Sequence, residues 1–367
     1  MSWLLPPLPP HFEAALRDVR AKAMEARMAA ARRLSQPDAG QEQEAREALI
    51  TLTRDRDARV RATAVEGLTE VGNAEDHGRL LECLDDDDPL VRELSVVALS
   101  TIEHAARDEL LLGALESRHP EVRFQALSCC AEQCADVAAV HFTRLTRDDD
   151  ARVRQNAARI LGETGAAASD EPTRQRLRGM LGDDDGGVRY RAALSLGEHA
   201  TADAIHILVE AVDNPVRRLD ALDALGAHDT PQVRAAAAAV AESFLKPLAI
   251  KAAAARTLCR LGDPRGAQAL GEVLSAFRGD ARSYAVEIVG ELRLSELAPA
   301  LEQLARRPRG VDPTLLLDAL ERLAGDSAAA RRGLSALSEG SGDMAGRARE
   351  ALAGLAAEDA ADPPTTQ

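Results

Sequence analysis

The chain has 367 residues, of which 46% are hydrophobic but only 2% aromatic, and its formal net charge at pH 7 is −15. Thick globular cores rely on aromatic side chains for bulk, so this composition favours an extended helical fold that buries Ala, Leu and Val in thin layers. The acidic charge argues against nucleic acid and anionic membranes as partners, and no apolar run reaches the roughly 18 residues of a membrane span.

Residues 1–40 are predicted to be an N-terminal extension followed by a capping helix. The opening sequence MSWLLPPLPP lacks the basic residues of a secretory signal. Residues 11–34 are predicted to form one helix that lacks the motif repeated further along the chain, and residues 35–40 end it. Two roles stay open: a cap over the first layer of a repeat fold, or a docking helix. The basic residues that favour docking are Arg17, Arg20, Lys22, Arg27, Arg32 and Arg33.

A short motif then recurs along the chain. It consists of an acidic turn, a Val-Arg pair three residues later, and small apolar residues at helical spacing; the copy from Arg54 reads RDRDARVRATAVEGLTEVG. The first three steps between anchoring valines are each 31 residues long. Self-similarity at this period indicates a repeat architecture. The anchors are Val60, Val91, Val122, Val153, Val188 and Val216, with weaker copies around Ile250, Ala281 and Asp312.

Each copy predicts a helical hairpin. The apolar positions of the first copy, Val60, Ala64, Leu68 and Val71, have the spacing of an amphipathic helix. An aspartate three residues before the valine can cap that helix. A second apolar helix lies between copies, as in HGRLLECLDD from His77. Two antiparallel helices of this kind hide their apolar faces only by stacking on neighbouring units, which predicts an α-solenoid.

The motif resembles HEAT-like repeats, in particular the short bacterial type also found in phycobilin lyases. The segment that carries this resemblance most clearly is LGDPRGAQALGEVL from Leu261. The resemblance covers residues 41–357 and implies an all-α, right-handed α-solenoid of about ten helical hairpins behind the N-terminal capping helix. Residues 358–367 are predicted to be a disordered acidic tail.

The arginines that follow the anchors are predicted to line up on successive helices. Paired with acids in the turns, they would form a structural ladder between units. The residues assigned to the ladder are Asp57, Arg61, Asp88, Arg92, Arg123, Asp150, Arg154, Asp185 and Arg189, with Arg217 as a further position. The acidic runs at 85–88, 148–150 and 183–185 are interpreted as helix caps, and a docking edge for a basic partner is the alternative.

No catalytic motif is found, and we expect no cofactor and no metal site. Cys129, Cys130 and Cys134 lie on one helix but lack the paired CxxC spacing of a zinc site, so they are predicted to pack in the core. The His-Glu dipeptide of the iron-binding HEAT-repeat hydroxylases is absent, and the charge has the wrong sign for a HEAT-like DNA glycosylase. Sparse free cysteines and a composition rich in Arg but poor in Lys favour a cytoplasmic bacterial protein.

The sequence therefore favours binding over catalysis. We expect a non-catalytic scaffold or adaptor, monomeric when alone, that holds a partner protein along the concave face of the solenoid. Helical phase predicts the contact residues Glu93, Phe124, Glu132, Gln155, Arg159, Glu163, Tyr190 and Arg191. The alternative is a subunit of a phycobilin-lyase-like or other modifying enzyme that uses the solenoid to hold its substrate.

Overall fold

The computed structural model describes residues 11–165, 170–276, 279–308 and 310–361. Within these ranges the regular elements are α-helices and short 3₁₀ turns, with no strand. The chain divides into two compact units, Met1–Ser195 (unit 1) and Leu196–Gln367 (unit 2). None of the helices described is both long enough and apolar enough to cross a membrane.

Unit 1 is a stack of helical hairpins. Its helices are α1 (Phe12–Asp18), α2 (Met24–Leu34), α3 (Glu42–Leu52), α4 (Ala58–Val71), α5 (His77–Cys83), α6 (Pro89–Thr101), α7 (Arg107–Ala114), α8 (Pro120–Gln133), α9 (Ala135–Leu145), α10 (Ala151–Glu163), α11 (Glu171–Met180) and α12 (Gly186–Leu196), which ends at the boundary. The helices α2, α4, α6, α8 and α10 pack on one another in succession, and we call them the anchor row. Each anchor helix also packs against the helix that precedes it in the chain, and these preceding helices form the second row.

The repeated motif explains both the start of each anchor helix and its buried face. Asp57 accepts a hydrogen bond from the Arg59 N–H, and Asp150 caps α10 in the same way. Pro89 and Pro120 occupy the first turns of their helices, where a missing N–H costs nothing. Val60, Ala64 and Leu68 of the first copy are fully buried, and aliphatic side chains and alanines dominate the core. The all-helical fold class predicted from the periodicity is confirmed.

Residues 11–34 form two helices, so the prediction of a single helix is wrong. The chain turns between α1 and α2, and the two helices pack together as a hairpin, while α2 packs on α4. Arg27 explains the turn, because its Nη1 donates to the carbonyls of Ala21 and Lys22 at 3.0 and 3.1 Å. Its other nitrogens bind Asp55, so α2 is tied to the next hairpin. The segment thus has the organisation of a repeat, although Ala26 instead of a valine precedes Arg27 on α2.

Unit 2 continues the same organisation. Its helices are α13 (Ala202–Ala211), α14 (Arg218–Leu225), α15 (Pro231–Ala241), α16 (Leu248–Arg260), α17 (Pro264–Ser275), α18 (Gly279–Glu291), α19 (Ala298–Arg306), α20 (Pro313–Ala324), α21 (Ala328–Ser338) and α22 (Asp343–Ala361). Helices α14, α16, α18, α20 and α22 pack in succession and form the anchor row of this unit, and α13, α15, α17, α19 and α21 form its second row.

The register of the repeat around Val216 differs from the predicted one. Val216 is exposed rather than buried, because Asn214 accepts hydrogen bonds from the N–H groups of Val216 and Arg217 and thereby shifts the register. Arg218 instead of Arg217 therefore takes the position of the ladder arginines.

At the C-terminus α22 continues to Ala361, past the boundary predicted at residue 357. The rest of the predicted tail lies outside the described residues, and so does the N-terminal extension at residues 1–10.

Candidate partner-binding surface

A ladder of arginine–acid pairs joins successive hairpins of unit 1. Arg61 on α4 donates from Nε and Nη2 to both carboxylate oxygens of Asp86, at 2.8 and 2.6 Å, and from Nη1 to the carbonyl of Asp55 at 2.9 Å. Asp86 belongs to the loop of the next hairpin, where it also accepts the N–H of Asp88. Bidentate pairs of this kind fix distance and orientation together. The same arrangement recurs in the pairs Arg27–Asp55, Arg123–Asp148 and Arg154–Asp183.

The acids of the ladder are not the ones predicted. Asp57, Asp88, Asp150 and Asp185 accept N–H groups at the starts of their helices, so they are caps. The carboxylate that pairs with an arginine lies two residues before the cap. Because both acids belong to one short turn, sequence spacing alone does not tell which of them faces the preceding hairpin. Each arginine–acid pair, with the bond from the same arginine to a carbonyl of its own loop, is one rung of the ladder. Arg189 donates to the carbonyls of Asp183 and Asp184, as Arg61 donates to the carbonyl of Asp55, so it makes the carbonyl contact of a rung.

One rung of the ladder is built differently. In the loop before α8, Ser117 stands where the pairing acid is found elsewhere, and Arg92 pairs with Glu121 from the first turn of α8. His119 occupies the cap position, and its Nε2 lies 3.3 Å from the carboxylate of Asp85. The rung is thus retained with a different acid.

The environment of the ladder keeps the carboxylates of Asp86 and Asp183 ionised. Burial alone would raise the pKa of Asp86, but hydrogen bonds from Arg61 and from the Asp88 N–H lower that pKa below its ordinary value. The same balance of burial against hydrogen bonds from an arginine and a backbone N–H lowers the pKa of Asp183. The ladder arginines are therefore already neutralised within the protein, and they do not form a free anion-binding strip.

Six of the eight predicted contact residues lie on the anchor row of unit 1, and Tyr190 and Arg191 lie on α12. Glu93, Phe124 and Gln155 occupy equivalent positions on α6, α8 and α10, while Glu132 and Glu163 form a second line near the ends of α8 and α10. Phe124 is 38% exposed. A second exposed apolar side chain, which the sequence pattern did not identify, is Leu90 at the start of α6, 51% exposed. Its exposure follows from its position beside the capping aspartate.

Asn156 holds the centre of this surface together. Its amide nitrogen donates to the Phe124 carbonyl and the Ser128 hydroxyl, at 3.1 and 3.0 Å. Its oxygen accepts Nε and Nη2 of Arg159, at 3.1 and 2.7 Å, and Arg159 in turn pairs with Glu163. Asn156 is buried, and the signal that could have identified it is a polar side chain on the apolar face of a helix.

Tyr190 does not belong to the exposed surface, so its assignment as a contact residue is wrong. The side chain is only 4% exposed. A Cβ atom at Gly187 would lie 2.7 Å from the Gln155 amide, so the glycine leaves room for Gln155 to lie over the start of α12 and donate to Asp185 at 3.0 Å. Arg191 is half-buried beside Tyr190, with Cζ 6.0 Å from the centroid of the tyrosine ring.

Comparison with protein families agrees with this architecture. A family model of HEAT repeats matches residues 10–100 and 138–226, and the model described as PBS lyase HEAT-like repeat matches residues 250–276. The chain is a HEAT-repeat protein. The first match begins ahead of α1, in agreement with the repeat-like hairpin that replaces the predicted single helix.

Solved structures share the fold of this HEAT-repeat protein at low sequence identity. Importin beta is 13% identical with a TM-score of 0.53, and the match covers 96% of this chain and 60% of importin beta. The Kap95:Nup1 complex gives 13% identity and a TM-score of 0.52, covering 96% of this chain and 55% of the matched chain. YibA of Escherichia coli is 17% identical, with a TM-score of 0.47 and coverage of 83% and 98%. No curated protein matches the sequence.

The cysteines of this HEAT-repeat protein are placed for packing. Cys129, Cys130 and Cys134 are buried free thiols, and burial raises the pKa of Cys130 far above its ordinary value. Burial also raises the pKa of Cys259, to about 12. Among the side chains that the structure describes, no three His, Cys, Asp or Glu residues converge on a point where a metal ion could bind.

Proposed function

We propose that unit 1 is a non-catalytic scaffold that holds a helix or extended segment of a partner protein along the exposed face of its anchor row. The observation that carries the proposal is the ladder, which fixes the spacing of α2, α4, α6, α8 and α10 while neutralising its own charges. A rigid array of side chains loses little conformational freedom on binding, which favours affinity. Helical-repeat arrays commonly use such surfaces for partners.

The surface has a defined chemistry. Leu90 and Phe124 supply apolar contacts, and large apolar side chains near the centre of a patch are typical binding anchors. Exposed glutamates border them near the ends of the anchor helices, at Glu70, Glu132 and Glu163. The partner segment that fits this arrangement has an apolar centre and basic flanks. Association should accordingly weaken with rising salt.

The fold comparison supports binding in a general way. Importin beta and Kap95 share the helical-repeat fold, and Kap95 was solved in complex with Nup1. A subunit of a modifying enzyme is the second candidate, favoured by the PBS lyase HEAT-like match at residues 250–276. In that case the solenoid would hold the enzyme's substrate rather than a stable partner.

The proposal is tested by affinity capture from the source organism, with elution in steps of rising salt. The wild-type chain is compared with L90A/F124A and with V140A, which removes an exposed apolar side chain from α9 in the second row. We expect one or two proteins to be retained by wild type and V140A and lost from L90A/F124A. Equal retention by all three would contradict the proposed surface. A coloured small molecule that co-elutes without a protein partner would favour the modifying enzyme.

A further inference from the structure

The rung between α6 and α8 fixes less of the local geometry than its neighbours do. In the four other rungs of unit 1 that the structure describes, the arginine binds both oxygens of an aspartate in the next loop, as Arg61 binds Asp86. Arg92 instead directs Nε and Nη2 to a single oxygen of Glu121, Oε1. A pair that uses two oxygens fixes orientation as well as distance, whereas one acceptor oxygen leaves the two groups free to rotate about it. Because Glu121 belongs to α8, this rung does not order the loop either.

The start of α8 lacks the side-chain cap that the neighbouring anchor helices have. Asp88 and Asp150 accept backbone N–H groups in the first turns of α6 and α10, whereas His119 in the same position accepts none. The loop ahead of α8 is closed by the neutral hydroxyl of Ser117, which accepts the His119 N–H, where Asp86 closes the preceding loop with a carboxylate. A missing cap destabilises the first turn of a helix, so the entry to α8 is the least firmly held.

On its other side α8 is held firmly to α10. Arg123 on α8 binds both oxygens of Asp148 in the loop before α10. The buried Asn156 of α10 reaches back to the Phe124 carbonyl and the Ser128 hydroxyl. Two independent contacts therefore join α8 to α10, and the junction between α6 and α8 is where the array bends most easily.

The second row leaves room for bending at this same junction. A groove of about 660 Å³ lies between α5 and α7, with Leu81 and Leu110 among its apolar walls. Asp85 on the α5 side and Arg118 on the α7 side both line the groove, and they form an exposed ion pair at 3.1 Å. A Cβ atom at Gly113 on α7 would meet nothing within 4 Å, so this part of the wall faces open space. The groove gives α5 and α7 space to approach each other.

We propose that the junction between α6 and α8 is a hinge of unit 1. Because the second row and the anchor row form opposite layers, a bend that closes the groove between α5 and α7 spreads α6 and α8. Leu90 on α6 and Phe124 on α8 stand on either side of the hinge, so bending changes their separation. The hinge rests on the function proposed above for its purpose, which is to fit the spacing of the two apolar contacts to the partner.

The hinge is tested by measuring the three junctions of the anchor row separately. Glu70, Thr101, Glu132 and Glu163 are exposed and lie ten residues after their anchor valines. A ketone-bearing amino acid at two of these positions takes a nitroxide label and leaves the cysteines untouched. Distances for the pairs 70/101, 101/132 and 132/163 in the full-length chain are read from dipolar broadening of EPR spectra in frozen solution. We expect a broader distance distribution for 101/132 than for the other two pairs.

Two variants act on the hinge from opposite sides. S117D/H119D/E121R copies the acid, the cap and the arginine found ahead of and within the first turn of α10, and so returns a bidentate partner to Arg92 and a cap to α8. G113L fills the groove. We expect each variant to narrow the 101/132 distribution to the width of its neighbours. The first should also raise the thermal midpoint by about 2–4 °C.

Equal widths for the three pairs in the wild-type chain would overturn the hinge. A 101/132 distribution that neither variant narrows would overturn it as well, and G113L keeps the test decisive if the triple variant does not fold. No partner is present in this measurement, so its outcome is separate from that of the affinity capture described above.

Discussion

Arg61 on α4 binds both carboxylate oxygens of Asp86 in the following loop, at 2.8 and 2.6 Å, while a third nitrogen binds the carbonyl of Asp55 in its own loop. One side chain therefore ties together two successive hairpins. Because Asp86 also accepts the N–H of Asp88, the same carboxylate orders the turn and receives the arginine. The repeat thus encodes both the helical hairpin and its connection to the next one.

Removing the charge of one rung should destabilise unit 1. In Asp86→Asn the side-chain oxygen can still accept the Asp88 N–H, but the largely buried Arg61 loses its counter-charge. We expect a loss of about 2 kcal/mol in the free energy of unfolding, measured by urea denaturation followed by circular dichroism. The matched control Asp87→Asn changes an exposed neighbour and should have little effect. Equal stability of the two variants would show that the rung is not stabilising.

Mildly acidic pH should destabilise unit 1 through His77. Burial, followed by the neighbouring His104 with its ring centroid 4.3 Å away, lowers the pKa of His77 below its ordinary value; Asp76 and the Ala74 carbonyl act in the opposite direction. The folded state therefore disfavours the charged imidazole. The neutral His77 side chain makes its full contribution to the stability of the folded state above the unfolded-state pKa of about 6.5. That contribution is lost as the pH falls below this value towards the lowered pKa of the folded state.

Thermal midpoints measured from pH 7.5 to 5 test this expectation. His77→Asn should flatten the pH dependence, whereas His206→Gln, at an exposed histidine on α13, should leave it as in wild type. A pH dependence of His77→Asn identical to that of wild type would contradict the assignment.

Two equivalent helix ends in unit 2 should respond oppositely to substitution. Gly262 after α16 and Arg293 after α18 both have positive φ, 66° and 50°. In both cases the next N–H reaches back to the helix, from Asp263 to Leu258 and from Leu294 to Val289. Because a side chain is strained in this conformation, Arg293→Gly should stabilise unit 2 and Gly262→Ala should destabilise it, each by about 1 kcal/mol. Thermal denaturation measures both, and a shift of the same sign in the two variants would contradict the argument.

The cysteines should be unreactive in the folded chain. Burial raises the pKa of Cys130 and Cys259, so at pH 8 these thiols are protonated and poorly nucleophilic. We expect iodoacetamide to label the folded protein slowly and all five cysteines to be modified once urea is added, as read by mass spectrometry. Rapid labelling of Cys130 in the folded state would indicate a reactive or accessible site instead.

The parts of the fold that were predictable from sequence are those that depend on local pattern. Helical spacing of Val60, Ala64 and Leu68 identified the anchor helices, and the aspartates before them identified the caps, because both signals lie within one turn or one helix. The break between α1 and α2 was not predictable in this way. It depends on Arg27, whose contacts with the turn and with Asp55 form only in the folded hairpin.

The candidate surface was predicted less completely, because exposure depends on how neighbouring helices approach. Phe124 and Tyr190 hold similar positions in their repeats, but Phe124 is 38% exposed and Tyr190 only 4%. Leu90 was missed because the neighbouring copies of the motif carry charged residues at the equivalent position, namely Arg59, Glu121 and Arg152. Asn214 shifted the register of its repeat by one residue, which no spacing of valines reveals.

Site-specific crosslinking tests the central claim most directly. A photoreactive phenylalanine analogue is placed at Phe124 on the anchor row or at Val140 on the second row, and each chain is irradiated with the partner recovered by affinity capture. We expect a crosslinked product from position 124 and none from position 140. A product from position 140 alone would show that the partner lies on the second row and would contradict the proposed surface.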